Sequence, residues 1–566
     1  MNEQLHEFSI GSPEDFSAHR PRMIRAGDHR LLVVKTETGF SAISNACPHQ
    51  GYGLMQGAYD SGVVTCQWHN WKFDIATGAC LAGEEDVDCH VAEVRDGEVI
   101  VTIRAHSPGE MRAKLWPSFD TALREHRVGQ LSRDTARLLR AQATPAEIVV
   151  RALADTNRRN DYGFDHGMAT ASDCLALTTG AHQSLHGDDR VLALAQALDG
   201  LSDDARHRTK RSEPIQLESL PENFGKILMT AIDNENIEFV DQLVRSAILL
   251  NHDLSDLRQW MIRAASQHHY DFGHQAIYVQ KAFELIDLAG AESAIHVVPT
   301  LAYGMAYGTK EDVLPYMVHF NRALGAVDLG ALASSPTDAQ RRSVAIDLAN
   351  LIVDSERCPV VEAVEFALSG GGVQGMLDAV VLAGSLRLTR YDDLYDRNGA
   401  YDFRWLDITH VVTYAHAARW AWRHDPCPDT ARLALYTLFL AHDSGRGERH
   451  GMTPVPLPDA KTLDLADAIM RRDARAAVAA ALTDDPGATS ATLTAASLQD
   501  GAGSFIVQAH IIKLTAASIR EFEEIGNPIV LAGAAAFSAG RRLERFVAGA
   551  AQEAIDFIRT GQPPKR

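Results

Sequence analysis

Residues 47–57 read CPHQGYGLMQG and residues 66–80 read CQWHNWKFDIATGAC, and these two stretches decide the fold of the first part of the chain. Each stretch holds one cysteine and one histidine among its first four residues, namely Cys47 with His49 and Cys66 with His69. Glycines in the first stretch allow the tight backbone turns that two short, ligand-bearing loops need. The pattern therefore predicts a metal site where the two loops approach each other.

The spacing of the four ligands indicates the kind of metal site. It is C-x-H, a gap of 16 residues, and then C-x₂-H. Two thiolates suit one iron of a [2Fe–2S] cluster, and two neutral imidazoles suit the other. The alternative is a structural zinc site with two cysteines and two histidines, but such sites pair cysteine with cysteine and histidine with histidine along the chain. Since each loop here supplies one of each, the sequence predicts a [2Fe–2S] cluster.

The same run resembles the Rieske ferredoxins and the N-terminal Rieske domains of ring-hydroxylating oxygenases. Four residues after the second loop also follow that family's pattern, namely Trp71, Phe73, Asp74 and Gly78. Respiratory Rieske proteins carry an extra cysteine in each loop, which form a disulfide; Tyr52 and Trp68 occupy those positions here. The resemblance implies a ferredoxin-type cluster towards the low end of the Rieske range of about −150 to +300 mV. It also implies electron transfer, with His49 and His69 as the exposed ligands where the electron leaves.

Strand and helix patterns divide the chain into more than one domain. Residues 5–105 contain short apolar and β-branched runs separated by turns, and helical spacing begins near Trp116 and continues to the C-terminus. We therefore expect a multidomain protein in which a small all-β domain precedes a large all-α domain. The predicted bounds are a Rieske domain at 1–106, a linker with the first helices at 107–144, and a helical, His-rich catalytic domain at 145–566.

The helical region contains an internal repeat. His274, His410 and His510 are each followed four residues later by tyrosine or leucine, which places both side chains on one helix face. About 18 residues after each histidine a second helix is expected to start, at Glu292, Pro428 and Asn527. A fourth, more degraded copy surrounds His166. The pattern predicts a helix-pair repeat.

Equivalent positions in a repeat can converge on one axis, so His274, His410, His510 and His166 are candidate ligands of a second metal, a non-haem iron. The alternative is that the repeat keeps histidine for packing or for hydrogen bonds between helices. Acidic residues that could complete such a site are Glu235, Glu238 and Asp241. The sequence contains neither the two-histidine, one-carboxylate triad of ring-hydroxylating oxygenases nor a Glu-x-x-His motif in the helical region.

A fainter resemblance concerns the His-bearing, Ala-rich helices. The stretches around His252, His274, His410 and His510 are similar to the questin-oxidase-like family, which is associated with oxidative ring opening of polycyclic quinones. The resemblance implies an O₂-dependent oxidation of a small organic substrate, aromatic or quinoid. The catalytic residues themselves stay unknown at this stage.

Three functions follow from these features. The first is an oxidoreductase, a monooxygenase or other oxygenase, in which the cluster passes electrons to a non-haem iron in the helical domain. The second is an electron-transfer or redox-sensing protein whose helical region is a metal-free platform for a partner. The third is a metal-free oxidation to which the cluster supplies reducing equivalents. Residues 370–375 have the G-x-G-x-x-G spacing but are expected to form a turn between helices, so a separate NAD(P)H-dependent reductase is expected.

Composition limits the partners and the compartment. A net charge of −20 over 566 residues argues against nucleic acid or an anionic membrane as a general partner. The N-terminus lacks the features of a signal peptide, the longest apolar runs are expected to be too short to span a membrane, and seven cysteines do not suggest a disulfide framework. We therefore expect a cytoplasmic protein, and the oxygenase resemblance implies a homo-oligomer.

Overall fold

The computed structural model describes residues 4–397 and 404–541, which form two compact units. The first unit comprises the described residues up to 117 together with 140–142. The second comprises 118–139 and the described residues from 143 onward.

The first unit is built from antiparallel strands, as the sequence predicts. Its described strands are β1 (Gln4–Ser9), β2 (Arg22–Ala26), β3 (His29–Thr36), β4 (Gly39–Ser44), β5 (Ala58–Asp60), β6 (Val63–Thr65), β7 (Lys72–Asp74), β8 (Cys80–Ala82), β9 (Cys89–Arg95) and β10 (Glu98–Ala105). One sheet has the order β1-β10-β9-β4-β3-β2, and the other has the order β5-β6-β7-β8.

The apolar run in β3 is continuous because this strand is buried on both faces. Leu31 and Val33 pack in one core with residues of β10. Leu32 and Val34 point the opposite way and pack in a second core, which also contains Cys47 and Cys66. The two ligand cysteines are therefore anchored in a hydrophobic core between the sheets.

The rest of the described chain is helical, which confirms the predicted fold class. The described helices are α1 (Pro108–Arg124), α2 (Val128–Arg140), α3 (Pro145–Thr156), α4 (His166–Thr178), α5 (Arg190–Ala205), α6 (Phe224–Asp233), α7 (Ile237–Leu249), α8 (Leu254–Ala265), α9 (His274–Ala289), α10 (Ala294–Tyr307), α11 (Val318–Leu324), α12 (Leu329–Ala333), α13 (Ala339–Arg342), α14 (Ala345–Asp354), α15 (Val360–Phe366), α16 (Gly372–Arg390), α17 (Leu406–His424), α18 (Pro428–Asp443), α19 (Arg446–Arg449), α20 (Leu465–Met470), α21 (Ala474–Thr483), α22 (Pro486–Ser497), α23 (Phe505–Ile525) and α24 (Ile529–Ala539).

Four helix pairs occupy the positions that the repeat predicts: α4 with α5, α9 with α10, α17 with α18, and α23 with α24. In the last three pairs the second helix starts within two residues of its predicted position. The first helices of the pairs form a closed ring, because α4 packs on α9, α9 on α17, α17 on α23, and α23 on α4. The repeat thus builds a central four-helix bundle whose equivalent positions face one another.

One stretch, Val360–Arg390, is long and apolar enough to cross a membrane, and 83% of its apolar window is buried inside the fold. The sequence prediction missed it, because the glycines at 370–375 were expected to form a turn between helices. They form a kink instead: Gly370 and Gly372 adopt φ of 110° and 62° between α15 and α16. The apolar side chains of α16 pack against α14, α17 and α24, so burial accounts for their composition.

Candidate metal centres

The two loops that carry Cys47 and Cys66 have the same backbone hydrogen bonds. In each loop the cysteine N–H donates to the carbonyl five residues later, and the cysteine carbonyl accepts from the N–H four residues later. These bonds are Cys47 N–H to Tyr52 O (2.8 Å), Gly51 N–H to Cys47 O (2.7 Å), Cys66 N–H to Trp71 O (2.8 Å) and Asn70 N–H to Cys66 O (3.2 Å). Gly51 and Asn70 adopt φ of 77° and 60°, a conformation that these two residue types tolerate best. Two similar loops thus present their ligands side by side.

The four ligands have the donor set of a [2Fe–2S] site. The thiols of Cys47 and Cys66 are free, and these residues are only 2% and 3% exposed. The Nδ1 atoms of His49 and His69 lie 3.0 Å apart, and His69 is exposed. Burial, reinforced by the neighbouring Cys66, raises the pKa of the Cys47 thiol to about 11. Such a thiol becomes a thiolate ligand when a metal cation compensates its charge, so the residues fit the cluster.

Aromatic stacking supports this site. The His49 ring stacks on Trp71, with ring centroids 4.8 Å apart. Tyr52 stacks on Trp68 across the two loops, with centroids 4.5 Å apart and ring planes 23° from parallel. These are the positions at which the respiratory proteins carry their disulfide, so a non-covalent contact joins the loops here.

The second candidate centre lies in the central bundle. His166, His274, His410 and His510 come from α4, α9, α17 and α23, and each offers one ligand atom within 4.8 Å of the others. The Nε2 atoms of His166 and His274 are 3.2 Å apart, and those of His410 and His510 are 3.0 Å apart. The structure therefore brings together all four histidines that the repeat singled out.

Hydrogen bonds at the outer nitrogens determine which nitrogen faces inward. Nδ1–H of His510 donates to the Ile506 carbonyl (2.6 Å), and Nδ1–H of His274 donates to the Asp271 carbonyl. A carbonyl can only accept, so a neutral ring bonded in this way carries its lone pair on Nε2. Two of the four inward nitrogens are thus fixed as metal-binding lone pairs.

The surroundings of His410 also indicate which of its ring nitrogens carries the proton. Its Nδ1 faces the Leu406 carbonyl but meets no partner at hydrogen-bonding geometry within the described residues. If Nδ1 carries the proton, the Nε2 lone pairs of His410 and His510 face each other at 3.0 Å, which requires a cation between them. If Nε2 carries the proton instead, the lone pair of Nδ1 faces the carbonyl oxygen of Leu406, and two acceptors repel each other. The first arrangement fits a metal ion.

Burial also keeps these rings neutral. It lowers the pKa of His166 and His410 well below the ordinary value, and it lowers the pKa of His274 to about 4, with a further contribution from Lys513. Lys513 is itself buried, and burial lowers its pKa to about 7. Its Nζ has no hydrogen-bond partner among the described residues. Sequence reasoning missed this lysine, although its position three residues after His510 places it on the same helix face.

A left-handed turn positions His274. Asp271, Phe272 and Gly273 have φ of 41°, 56° and 90°, and two of the three are not glycine. The Asp271 carboxylate accepts from the Thr309 N–H at 3.1 Å, and its carbonyl holds His274. The turn needs glycine at 273 for a second reason, since a Cβ there would lie 2.3 Å from the Tyr414 ring. Strain of this kind concentrates at functional sites.

The acidic residues suggested by the sequence do not belong to this centre. Asp241 forms a buried ion pair with Arg158 (3.1 Å), Glu235 pairs with Lys310 (3.5 Å), and Glu238 is exposed. Within the described residues, the group of candidate ligands consists of the four histidines and contains no carboxylate. Nitrogen donors are the preferred ligands of iron, zinc, copper and nickel rather than of magnesium or calcium.

An acidic cavity of about 560 Å³ opens on one ligand. Its titratable lining residues are His126, Asp165, His166, Asp199, Asp203, Asp204 and Arg206, of which His166 belongs to the four-histidine centre. Burial raises the pKa of Asp165 well above its ordinary value and that of Asp204 to about 6, which favours their neutral forms. Asp203 pairs with Arg206, and Asp199 lies 2.8 Å from His126, so little uncompensated negative charge remains. The cavity therefore opens on His166, one of the four histidines of the centre.

Comparison with known proteins agrees with the fold and ligands of the first unit. Residues 6–99 match the family model of the Rieske [2Fe–2S] domain. Ferredoxin CarAc of Metapseudomonas resinovorans is 32% identical over 82 residues, which are 14% of this chain and 77% of that protein. The chain therefore belongs to the Rieske [2Fe–2S] family through this domain.

Other relatives match the same region. The ferredoxin component of the alkene monooxygenase system of Xanthobacter autotrophicus is 40% identical over 53 residues, which are 9% of this chain and 43% of that protein. Mouse apoptosis-inducing factor 3 is 31% identical over 99 residues, and the match spans 18% of this chain and only 16% of the mouse protein. The ferredoxin of carbazole 1,9a-dioxygenase from Nocardioides aromaticivorans is a solved structure at 24% identity, covering 17% of this chain and 95% of its own, with a TM-score of 0.16.

Proposed function

We propose that this chain is a Rieske-type, O₂-dependent oxygenase in which electrons pass from the [2Fe–2S] cluster to a non-haem iron in the helical unit. Its substrate is a small organic molecule. The observation that carries the proposal is the convergence of four histidines from four helices in a chain that also holds a Rieske domain. We further propose a cytoplasmic homo-oligomer.

The first unit provides the entry point for electrons. When bound, a [2Fe–2S] cluster accepts and releases one electron at a time. His69 is exposed, which leaves this ligand accessible to a redox partner. A relative that is named as the ferredoxin component of a monooxygenase system supports this role. We propose that a separate NAD(P)H-dependent reductase is the donor.

The helical unit provides the site of oxidation. A non-haem iron held there would supply the reduction of O₂. The residues of the chain prepare the site by holding protons on the outer nitrogens of His274 and His510, which leaves the inward nitrogens as ligands. Burial excludes water from His410 and His510, which are 1% and 3% exposed. The four neutral imidazoles of His166, His274, His410 and His510 would hold the metal ion without a carboxylate.

Iron analysis of the purified protein tests the proposal. The cluster alone accounts for two irons per chain, and we expect three. His410→Ala should lower the count to two while the visible absorption of the cluster stays unchanged. His442→Ala is the matched control, because His442 is also a buried helical histidine but bonds to the Ser355 carbonyl (3.0 Å). Wild-type protein with two irons and no other metal would show the proposal to be wrong.

A second function is an electron-transfer or redox-sensing protein with a metal-free helical platform. One observation favours it: Tyr278 lies 3.2 Å from His166 Nδ1, so the His166–His274 pair can be satisfied by hydrogen bonds alone. The same iron analysis separates the two functions, since this one predicts two irons per chain and no effect of His410→Ala on metal content.

A further inference from the structure

A cavity of about 420 Å³ lies within the helical unit, between α4, α22 and α23 and next to the loop at 181–185. Much of its wall is apolar, with Leu177, Ile512 and Ile519 among the lining residues, and the polar part includes His182, Arg520 and Glu523. Sites for small organic molecules have volumes of roughly 300–1,000 Å³, apolar walls and a few polar groups. The size and composition of this cavity fall in that class.

Two buried polar atoms line the cavity without a partner. Asp173 and Thr515 are only 2% and 3% exposed. Asp173 Oδ2 and Thr515 Oγ1 have no hydrogen-bond partner among the described residues. A buried polar atom left without a partner lowers the stability of the fold. A bound molecule that donates a hydrogen bond here would remove that cost.

The charge of Asp173 is already balanced. Its Oδ1 accepts from Nζ of Lys281 at 2.7 Å, and both side chains are buried. A cationic group is therefore not needed at the remaining oxygen, and a neutral donor is sufficient. A carboxylate or phosphate would bring a second negative charge against a buried carboxylate, which is unfavourable. Arg520, which also lines the cavity, is already paired with Glu284 at 2.8 Å. The part of the cavity next to Asp173 thus favours an uncharged molecule.

The walls of the cavity and the four-histidine centre share two helices. Asp173 lies on α4 two turns after His166, which is about 10 Å along the helix axis. Thr515 lies on α23 five residues after His510. The cavity is therefore next to the candidate metal centre, on the helices that supply two of its ligands.

We propose that this cavity binds the organic substrate of the four-histidine centre, an uncharged molecule with an apolar body and one O–H or N–H group that donates a hydrogen bond to Asp173. The assignment of this molecule as the substrate rests on the proposed function, whereas the binding site itself does not.

Binding of three matched probes to the full-length protein tests the inference. 1-Naphthol has the apolar body and the donor, naphthalene lacks the donor, and 1-naphthoate carries a negative charge. We expect saturable, one-to-one binding of 1-naphthol in a fluorescence titration. Naphthalene should bind about 10–100-fold more weakly, since a hydrogen bond to a charged group contributes about 1.5–3 kcal/mol. 1-Naphthoate should bind more weakly still.

Two substitutions on α22 test whether 1-naphthol binds in this cavity. Ala495 and Ala488 are both exposed alanines of this helix, but only Ala495 lines the cavity. Ala495→Trp should weaken 1-naphthol binding at least tenfold, while Ala488→Trp should leave it unchanged. Asp173→Asn should narrow the difference between 1-naphthol and naphthalene, and circular dichroism checks that each variant is folded.

The outcomes separate this inference from the proposed function. Equal binding of 1-naphthol and naphthalene, or no effect of Ala495→Trp, would overturn the inference. If the wild-type protein holds only two irons but binds 1-naphthol as expected, the binding site stands and its assignment to a substrate fails. If it holds three irons and does not bind 1-naphthol, the cavity inference alone is wrong.

Discussion

The two candidate metal centres of this chain are assembled in opposite ways. The cluster ligands lie in two loops between residues 47 and 69, and each loop is closed by backbone hydrogen bonds of its own. The four histidines lie on four helices between residues 166 and 510, and no two of them share a helix. One centre therefore depends on local backbone geometry, and the other depends on the packing of a whole bundle.

This difference predicts which substitutions should disrupt each centre. A change at a cluster ligand should abolish the cluster and leave the bundle intact. A change far from the histidines, but at a contact between their helices, should disturb the bundle and leave the cluster intact.

Cys66→Ser removes a ligand that both loops need, and we expect complete loss of the cluster. The visible absorption should disappear and the iron content should fall by the two cluster irons. Cys89→Ser is the control, because Cys89 is an exposed cysteine of the same unit outside the loops. Iron in the helical unit should survive Cys66→Ser; its loss would show that the two centres are not independent.

Glu521→Gln breaks a buried contact between two helices of the bundle. Glu521 on α23 and Arg419 on α17 are 0% and 1% exposed, and they form a 2.8 Å ion pair. Leaving a buried charge uncompensated costs about 3–5 kcal/mol of the free energy of unfolding. Since Arg419 also pairs with Asp378 at 2.8 Å, we expect a loss near the lower end of this range. Denaturant unfolding followed by far-ultraviolet circular dichroism measures this. Glu524→Gln, at a partly exposed pair with Arg423 on the same helices, should cost only about 0–1 kcal/mol.

The same variant should show a defined pH dependence. Burial raises the pKa of Glu521, but Arg419 outweighs it and holds the pKa at about 2, below its ordinary value of 4.5. A lowered pKa in the folded state stabilises the protein above pH 4.5, and this contribution is lost as the pH falls towards 2. The difference between wild type and Glu521→Gln should therefore shrink over that window. A constant difference would contradict the ion-pair explanation.

Asp271→Ala should weaken metal binding in the helical unit without affecting the cluster. The Asp271 carboxylate fixes the turn whose carbonyl orients His274. Loss of such an indirect support typically lowers metal affinity about 10–100-fold. Competition with a chelator measures the affinity, and Asp271→Asn, which keeps an oxygen acceptor, should restore most of it. If both variants bind metal as tightly as wild type, the turn does not position His274.

The smallest effect is expected at the aromatic contact between the cluster loops. A double-mutant cycle with Tyr52→Ala and Trp68→Ala should give a coupling free energy of about 0.5–1.5 kcal/mol. The lower part of this range is expected, because the two side chains are 36% and 54% exposed. Thermal unfolding of the first unit provides the measurement. Zero coupling would mean that the backbone hydrogen bonds alone hold the loops together.

The sequence predicted the cluster ligands because the motif is contiguous and its spacing reflects local loop geometry. It predicted the four histidines because the repeat placed them at equivalent positions, and the helix starts at Pro428 and near Ala294 agree with that repeat. It missed Lys513 and the turn at 271–273, because the partners of those residues are distant in the chain. The sequence also did not predict the ion pair of Asp241 with Arg158, because these residues are far apart in the chain.

The closed ring of α4, α9, α17 and α23 has a consequence for the order of events during synthesis. Proteins are made from the N-terminus, and domains generally fold as units as they emerge. All four cluster ligands are made before α1, so iron–sulfur assembly on the first unit can precede folding of the rest. The ring of four helices that carries the histidines cannot close until α23 has been made. A nascent chain can therefore acquire its cluster well before the four histidines come together.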